Sequence, residues 1–123
     1  MRTDLLAGLG ARDGHRGGHR DHDTYTLAQH FFDQRQYTRA ADLLRGLGAE
    51  DAGSPLSARL LLARALFHSA QLGRAEALLR DLVADRPDEG YAHLLLGRVL
   101  QRRSRHEEAA AHLKLAEVLG SPA

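Results

Sequence analysis

Three stretches of this chain align without a gap: "LAQHFFDQRQYTRAADLL" from Leu27, "LARALFHSAQLGRAEALL" from Leu62 and "LGRVLQRRSRHEEAAAHL" from Leu96, each 18 residues long. Each has a small residue second (Ala28, Ala63, Gly97), a bulky apolar residue three further on (Phe31, Leu66, Leu100) and alanine at its fourteenth position (Ala40, Ala75, Ala109). The alanine spacings are 75 − 40 = 35 and 109 − 75 = 34. A period of this length constrains the fold more than composition does. One unit is too small to bury its apolar face alone, so successive units must stack.

Within each stretch the periodicity is helical. Leu27, Phe31 and Gln34 follow i, i+4, i+7, as do Leu62, Leu66 and Ser69. Valine, isoleucine and aromatic residues are scarce, which leaves little strand signal. Each unit therefore reads as two helices with a tight break, near Arg35–Tyr37, Gln71–Gly73 and Ser104–His106. The exits from the second helices carry Gly53 and Pro55 in one unit and Pro87 in the next. Two antiparallel helices approach closely only where a side chain is small, so Ala28 should face Ala40, Ala63 should face Ala75, and Gly97 should face Ala109. Glycine inside a helix costs about 1 kcal/mol relative to alanine, and close packing is the expected compensation at Gly97. The expected architecture is all-α: antiparallel hairpins at about 21–48, 56–84 and 90–119, in repeats of about 21–55, 56–89 and 90–123.

The pattern resembles the tetratricopeptide repeat (TPR) family, whose unit of about 34 residues reads W-x2-L-G-x2-Y, then A-x3-F, then P. Leu27-Ala28-x2-Phe31, Leu62-Ala63-x2-Leu66 and Leu96-Gly97-x2-Leu100 match the first block, and Ala40-x3-Leu44, Ala75-x3-Leu79 and Ala109-x3-Leu113 the second. Pro87 matches the closing proline. The tryptophan position departs, holding Thr24, Arg59 and His93. The resemblance covers roughly residues 21 to 120 and implies a short right-handed α-solenoid whose first helices line a concave, peptide-binding surface.

A second repetition lies at the N-terminus. "DLLAGLGARD" from Asp4 matches "DLLRGLGAED" from Asp42 at eight of ten letters. The second copy is the end of a B helix plus its exit loop. The first copy therefore reads as a remnant half-repeat, residues 1–20 forming a short helix and a polar loop, with Leu5, Leu6 and Leu9 capping the first full hairpin.

The formal net charge is +1 and there is no cysteine. These exclude a disulfide framework, a thiolate metal site and any whole-chain bias toward nucleic acid or membrane. Lys114 is the only lysine, a usage that suggests GC-rich, bacterial coding. The longest apolar stretch, "RLLLARALF", is broken by Arg64 and is shorter than the roughly 20 residues a membrane span needs. With no secretory pattern at the start, a cytoplasmic location is expected.

The segment "DGHRGGHRDHD" gathers His15, His19 and His22 with Asp13, Asp21 and Asp23, groups able to ligate zinc or nickel. A helix would put His15 and His19 on one face, but Gly17 and Gly18 lie between them, and the segment reads as a polar link. No metal or other cofactor is expected. "RRSR" at 102–105 could contact phosphate, yet cations at a helix C-terminus are favoured by the helix dipole anyway, and no aromatic–basic interleaving supports binding to nucleic acid. No nucleophile motif or H-E-x-x-H is present, and an enzyme is not expected.

The resemblance points to a concave groove. It would take Tyr25, Gln29 and Phe32 from the first helix, Leu60, Arg64, Phe67 and His68 from the third, and Tyr91, Leu94, Arg98, Gln101 and Arg102 from the fifth. Phe32 and Phe67 could equally pack between helices. Some family members clamp a partner's C-terminal carboxylate, but the corresponding positions hold Tyr25, Gln29, Leu61, Tyr91 and Leu95, which cannot do so. The leading expectation is an adaptor that binds a peptide or protein surface bearing acidic and apolar residues. The alternative is a structural unit that self-associates through Leu115, Val118 and Leu119, with little chain left to cover them. Deleting residues 1–12 should lower the melting temperature if the half-repeat caps the first hairpin. Equal stability and solubility of the truncated chain would refute the cap.

Overall fold

The computed structural model of the chain describes residues 14–121, with side chains from Asp21 onward. Six helices follow one another: α1 (Gly14–Asp33), α2 (Tyr37–Gly46), α3 (Leu56–His68), α4 (Leu72–Asp85), α5 (Gly90–Arg102) and α6 (His106–Val118). No strand occurs among the described residues. Each helix packs on the next, and α1, α3 and α5 form a second row of neighbours, which is the layout of a short α-solenoid of three hairpins.

The hairpins turn in the same way each time. Arg35, Ala70 and Ser104 adopt left-handed backbone, with φ of 62°, 61° and 63°. Around them the chain makes paired helix-ending bonds. Gln36 N–H donates to the Phe31 carbonyl (2.8 Å) and Arg35 N–H to that of Phe32 (2.9 Å). The pairs Gln71 to Leu66 with Ala70 to Phe67, and Arg105 to Leu100 with Ser104 to Gln101, repeat this arrangement. The next helix starts at once, and Ala40, Ala75 and Ala109 donate to the carbonyls of Gln36, Gln71 and Arg105. One turn geometry used three times is why the second and third units share a fixed register with the first.

The small residues lie where the spacing predicts. Ala28, Ala40, Ala63 and Ala75 are fully buried, and Ala109 is buried beside Gly97. Gly97 shows the closeness directly. A methyl group there would sit 2.6 Å from Leu113 Cδ2, 2.7 Å from its Cγ and 3.3 Å from the Ala109 carbonyl oxygen. The core is otherwise leucine, with Leu44, Leu62, Leu66, Leu79, Leu82, Leu96 and Leu100 at its centre.

The polar link is not a loop. α1 begins at Gly14 and runs 20 residues through Gly17 and Gly18, against 13 for α3 and for α5. Helix propagation adds one bond per residue to an existing nucleus, and the C-terminal turns of α1, docked on α2, supply that nucleus. The glycine penalty of about 1 kcal/mol each is therefore overcome. As a result, the exit loop of the proposed half-repeat has no counterpart beyond Asp13. Residues 1–13, including Leu5, Leu6 and Leu9, lie outside the described residues.

The position that holds tryptophan in the TPR pattern is filled, in the second and third hairpins, by polar groups that tie the two helices of the hairpin together. Arg59, buried on α3, donates through Nη1 to Asp85 Oδ2 at the end of α4 (3.1 Å). His93, buried on α5, donates through Nε2–H to the Pro87 carbonyl (2.9 Å). Its Nδ1 is then an acceptor for the Nδ1–H of His112 on α6 (3.1 Å), and the two rings stack.

Two substitutions test the close contacts. Gly97→Ala gains about 1 kcal/mol of helix propensity but forces Leu113 to move. Overpacking of this kind costs about 1–3 kcal/mol, so a net loss of stability is expected, partly recovered in Gly97→Ala/Leu113→Ala. Ala75→Leu should cost about the same 1–3 kcal/mol. Denaturant unfolding of the variants measures both, and unchanged midpoints would rule out close helix contact at these sites.

Candidate functional site

Four aromatic or imidazole rings and two guanidinium groups meet where the C-terminal halves of α1, α3 and α5 adjoin. The Arg64 guanidinium lies over the Phe32 ring, 4.5 Å from its centroid, and that of Arg102 over Phe67 at 5.3 Å. Each pair bridges two helices, α3 to α1 and α5 to α3. His68 sits between them, 5.8 Å from Phe32, 5.3 Å from Phe67 and stacked on Tyr37 of α2 at 4.7 Å. Phe32 also meets Tyr37 edge-on at 5.0 Å. Cation–π contacts of this kind contribute about 0.5–1 kcal/mol at exposed sites. They hold the arginines over the face without using their N–H groups as hydrogen-bond donors.

None of the twelve residues expected in the groove is buried. Tyr25, Phe32, Leu60, Arg64, Phe67, Tyr91 and Leu94 are half-buried, and Gln29, His68, Arg98, Gln101 and Arg102 are exposed. Phe32 and Phe67 also pack against the core. Tyr25 accepts a long hydrogen bond from Gln29 Nε2 (3.4 Å). Tyr37 was missed from sequence because it opens a B helix, and only the tightness of the turn before it carries it to the face.

Charge on this face is unbalanced. Arg64, Arg98 and Arg102 make no ion pair with a described carboxylate, whereas Arg45, Arg59, Arg80, Arg103 and Arg105 do. Glu76 on α4 is the hub of those pairs. Its Oε2 accepts from Arg80 (2.9 Å) and Arg105 (2.6 Å), and its Oε1 lies 3.4 Å from Arg103. Arg80 also reaches Glu108 at 2.8 Å. Burial of Glu76 favours the neutral acid, but the bonds from Arg80 and Arg105 outweigh it and hold the carboxyl below its ordinary pKa. The "RRSR" stretch is thereby divided: Arg102 faces Phe67, while Arg103 and Arg105 neutralise Glu76.

At the other end of the face, a cleft of about 470 Å³ opens between α1 and the α2–α3 loop, lined by Asp21, His22, Tyr25, Leu47, Ala49, Ser54, Pro55, Ser57 and Ala58. It exists because α2 stops at Gly46, after only 10 residues against 14 in α4. Gly48 has φ of 80°, and the Ser54 hydroxyl donates to the Gly48 carbonyl (2.7 Å), so the chain folds into a compact loop beside Tyr25. No group of three or more metal-ligating side chains converges among the described residues. His15, His19 and His22 fall at i, i+4 and i+7 of α1, and only the side chain of His22 is described.

A family model described as tetratricopeptide repeat matches residues 31–99. The chain belongs to the tetratricopeptide repeat family. No curated protein sequence matches it. Among solved structures, a MamA point mutant superposes with a TM-score of 0.73 at 26% identity, covering 81% of this chain and 72% of that one. An RS-1 MamA double mutant gives 0.71 at 25% identity, with coverages of 80% and 55%. MSR-1 MamA gives 0.72 at 25%, with 80% and 56%. The TPR chain thus spans little more than half the length of two of these three structures. No described helix is long and apolar enough to cross a membrane.

Two histidines resist protonation in the fold. Burial, followed by the fields of Arg64 and Arg102, lowers the pKa of His68. Burial, then His93 and Arg80, lowers that of His112 against the opposing pull of Glu108. Below about pH 6.5, the ordinary imidazole value, the unfolded chain therefore binds more protons than the folded one. Stability must fall as pH drops from about 6.5 through the folded-state values. The loss attached to Glu76 comes separately, below the ordinary carboxylate range, because its folded pKa is depressed. Melting temperature against pH should slope downward on acidification below about 6.5, and His68→Gln should flatten that slope. A parallel slope in the variant would remove His68 from the balance.

Proposed function

We propose that this repeat chain is an adaptor whose working surface is the face shared by α1, α3 and α5, which holds a segment of a partner protein bearing acidic residues and an aromatic or aliphatic anchor. The observation that carries the reading is the unpaired state of Arg64, Arg98 and Arg102 toward every described carboxylate, on the same face as half-buried Tyr25, Leu60, Tyr91 and Leu94. Tyrosine, phenylalanine and arginine are common interface anchors, and a cationic face with apolar footing suits an acidic segment. The role requires neither catalysis nor a cofactor.

Exposed ion pairs contribute about 0–1 kcal/mol each, so the arginines set specificity and encounter rate while the apolar side chains supply affinity. Arg98→Glu should weaken binding of a partner captured from the native host, and more so at low salt. Leu60→Ala with Tyr91→Ala should weaken it at low and high salt alike. Titration of the partner against each variant at two ionic strengths is the test.

One observation supports self-association as a second reading: Leu115, Val118 and Leu119 are exposed by 44%, 72% and 38%. Their counterparts one repeat earlier are Asp81, Ala84 and Asp85, also exposed, so these side chains point away from the face on which a following repeat would stack. A stable dimer lost on Leu115→Glu, together with wild-type partner binding by both groove variants, would transfer the function to α6.

A further inference from the structure

The face is polarised along its helices. α1, α3 and α5 run parallel, so their N-terminal ends lie together, as do their C-terminal ends. Asp21 stands midway along α1, beside the start of α3 where it lines the cleft, and Asp88 and Glu89 stand just before α5. Arg64, His68, Arg98 and Arg102 stand toward the C-terminal ends. The apolar cleft lies wholly at the acidic end, with Asp21 at its lining. A carboxylate is disfavoured there and favoured over the Arg64–His68–Arg102 group. An uncharged apolar side chain has the reverse preference.

We propose that the groove reads an extended acidic peptide by polarity and spacing: an apolar side chain enters the cleft of Tyr25, Leu47 and Pro55, and a pair of carboxylates about three residues away rests on Arg64 and Arg102 across His68. The inference rests on the groove reading above. The spacing follows from helix geometry. Tyr25 and Phe32 are seven residues apart, about 10 Å at 1.5 Å per residue, and an extended peptide rises about 3.3 Å per residue. The two guanidinium groups already lie over Phe32 and Phe67, with His68 between those rings, so the two cations flank one seat.

His68 is the reporter of that seat. The charged groups acting on it are Arg64 of its own helix and Arg102 of α5. Its other ring neighbours are Phe32 of α1, Tyr37 of α2 and Phe67 of α3, none of which carries charge at neutral pH. Carboxylates placed over the two arginines cancel the field that opposes protonation, so binding raises the pKa of His68 and takes up a fraction of a proton. Affinity therefore rises as pH falls through the interval between the free and bound values.

The probes are two capped synthetic peptides of equal composition in an alanine background. One has a leucine three residues from a pair of glutamates, and the other has the leucine adjacent to them. Titration of the full chain is followed by NMR at the His68 imidazole and at the backbone of α1, α3 and α5. The spaced peptide should bind at least about tenfold more tightly, the equivalent of seating one leucine side chain. It should raise the His68 pKa and perturb Tyr25 and Ala58 together with Phe32 and Phe67. Arg64→Gln and Arg102→Gln should each weaken binding and diminish the rise, while Arg74→Gln, on the exposed side of α4, should change neither. Equal affinity for the two peptides, with Phe32 and Phe67 still perturbed, would overturn the polarity and leave groove binding intact. Perturbations confined to α6, with none on α1, α3 or α5, would overturn the groove reading itself.

Discussion

Everything in this molecule depends on how closely the two helices of a hairpin approach. Gly97 lies so near Leu113 and the Ala109 carbonyl that even a methyl group does not fit without displacement. The buried alanines Ala28, Ala40, Ala63 and Ala75 occupy the corresponding sites in the other two hairpins. Backbones brought this close leave little room for adjustment, because interiors are packed to crystal-like density. The relative placement of first and second helices is therefore repeated from hairpin to hairpin. The row of α1, α3 and α5, with whatever its side chains present, is a consequence of that repetition.

Close packing alone does not explain how the chain dispenses with the tryptophan of the TPR pattern. A large ring at that position would fill space between helices. Here Arg59 and His93 fill it and also make bonds to Asp85 and to Pro87 and His112. The result is direction as well as bulk. Arg59 ties the start of α3 to the end of α4, and His93 ties α5 to α6. Buried polar groups stabilise only when partnered. Arg59 is bonded through Nη1, while its buried Nε and Nη2 find no partner. Its bond to Asp85 therefore restricts how the second hairpin closes more than it adds stability, as the bonds of His93 restrict the third. The arrangement also links stability to acidity through His112.

The fold was legible because its signals are local and repeated. The small, bulky and small positions recur at 35 and 34 residues, and a hairpin needs little more than that pattern. The cleft was harder to foresee. Nothing in "RGLGAED" states that α2 ends early enough to leave a hollow beside Tyr25, a residue of another helix. The Glu76 network joins residues up to 29 apart in sequence, from α4 to the α5–α6 turn, and only the fold brings them together. The misreading of residues 14–20 has a simpler cause. Two adjacent glycines argue against helix when weighed alone, and they weigh less when the rest of α1 is already anchored on α2.

Which side chains share one face of each helix was legible from the helical period, but their electrical state was not, and it is the electrical state that gives the face its chemistry. Three parallel helices present their positive dipole ends on one side and their negative ends on the other. Asp88 and Glu89, just before α5, and Arg102, in its last turn, are favoured by those helix ends without needing a side-chain counterion. Arg102 thus gains from a helix end part of what Arg80, Arg103 and Arg105 gain from Glu76 a short distance away. The helix end stabilises Arg102 diffusely, and Phe32 and Phe67 hold Arg64 and Arg102 in place, yet neither interaction uses the guanidinium N–H groups. Those donors stay oriented and unspent, which is the condition under which a carboxylate from another molecule gains most by arriving.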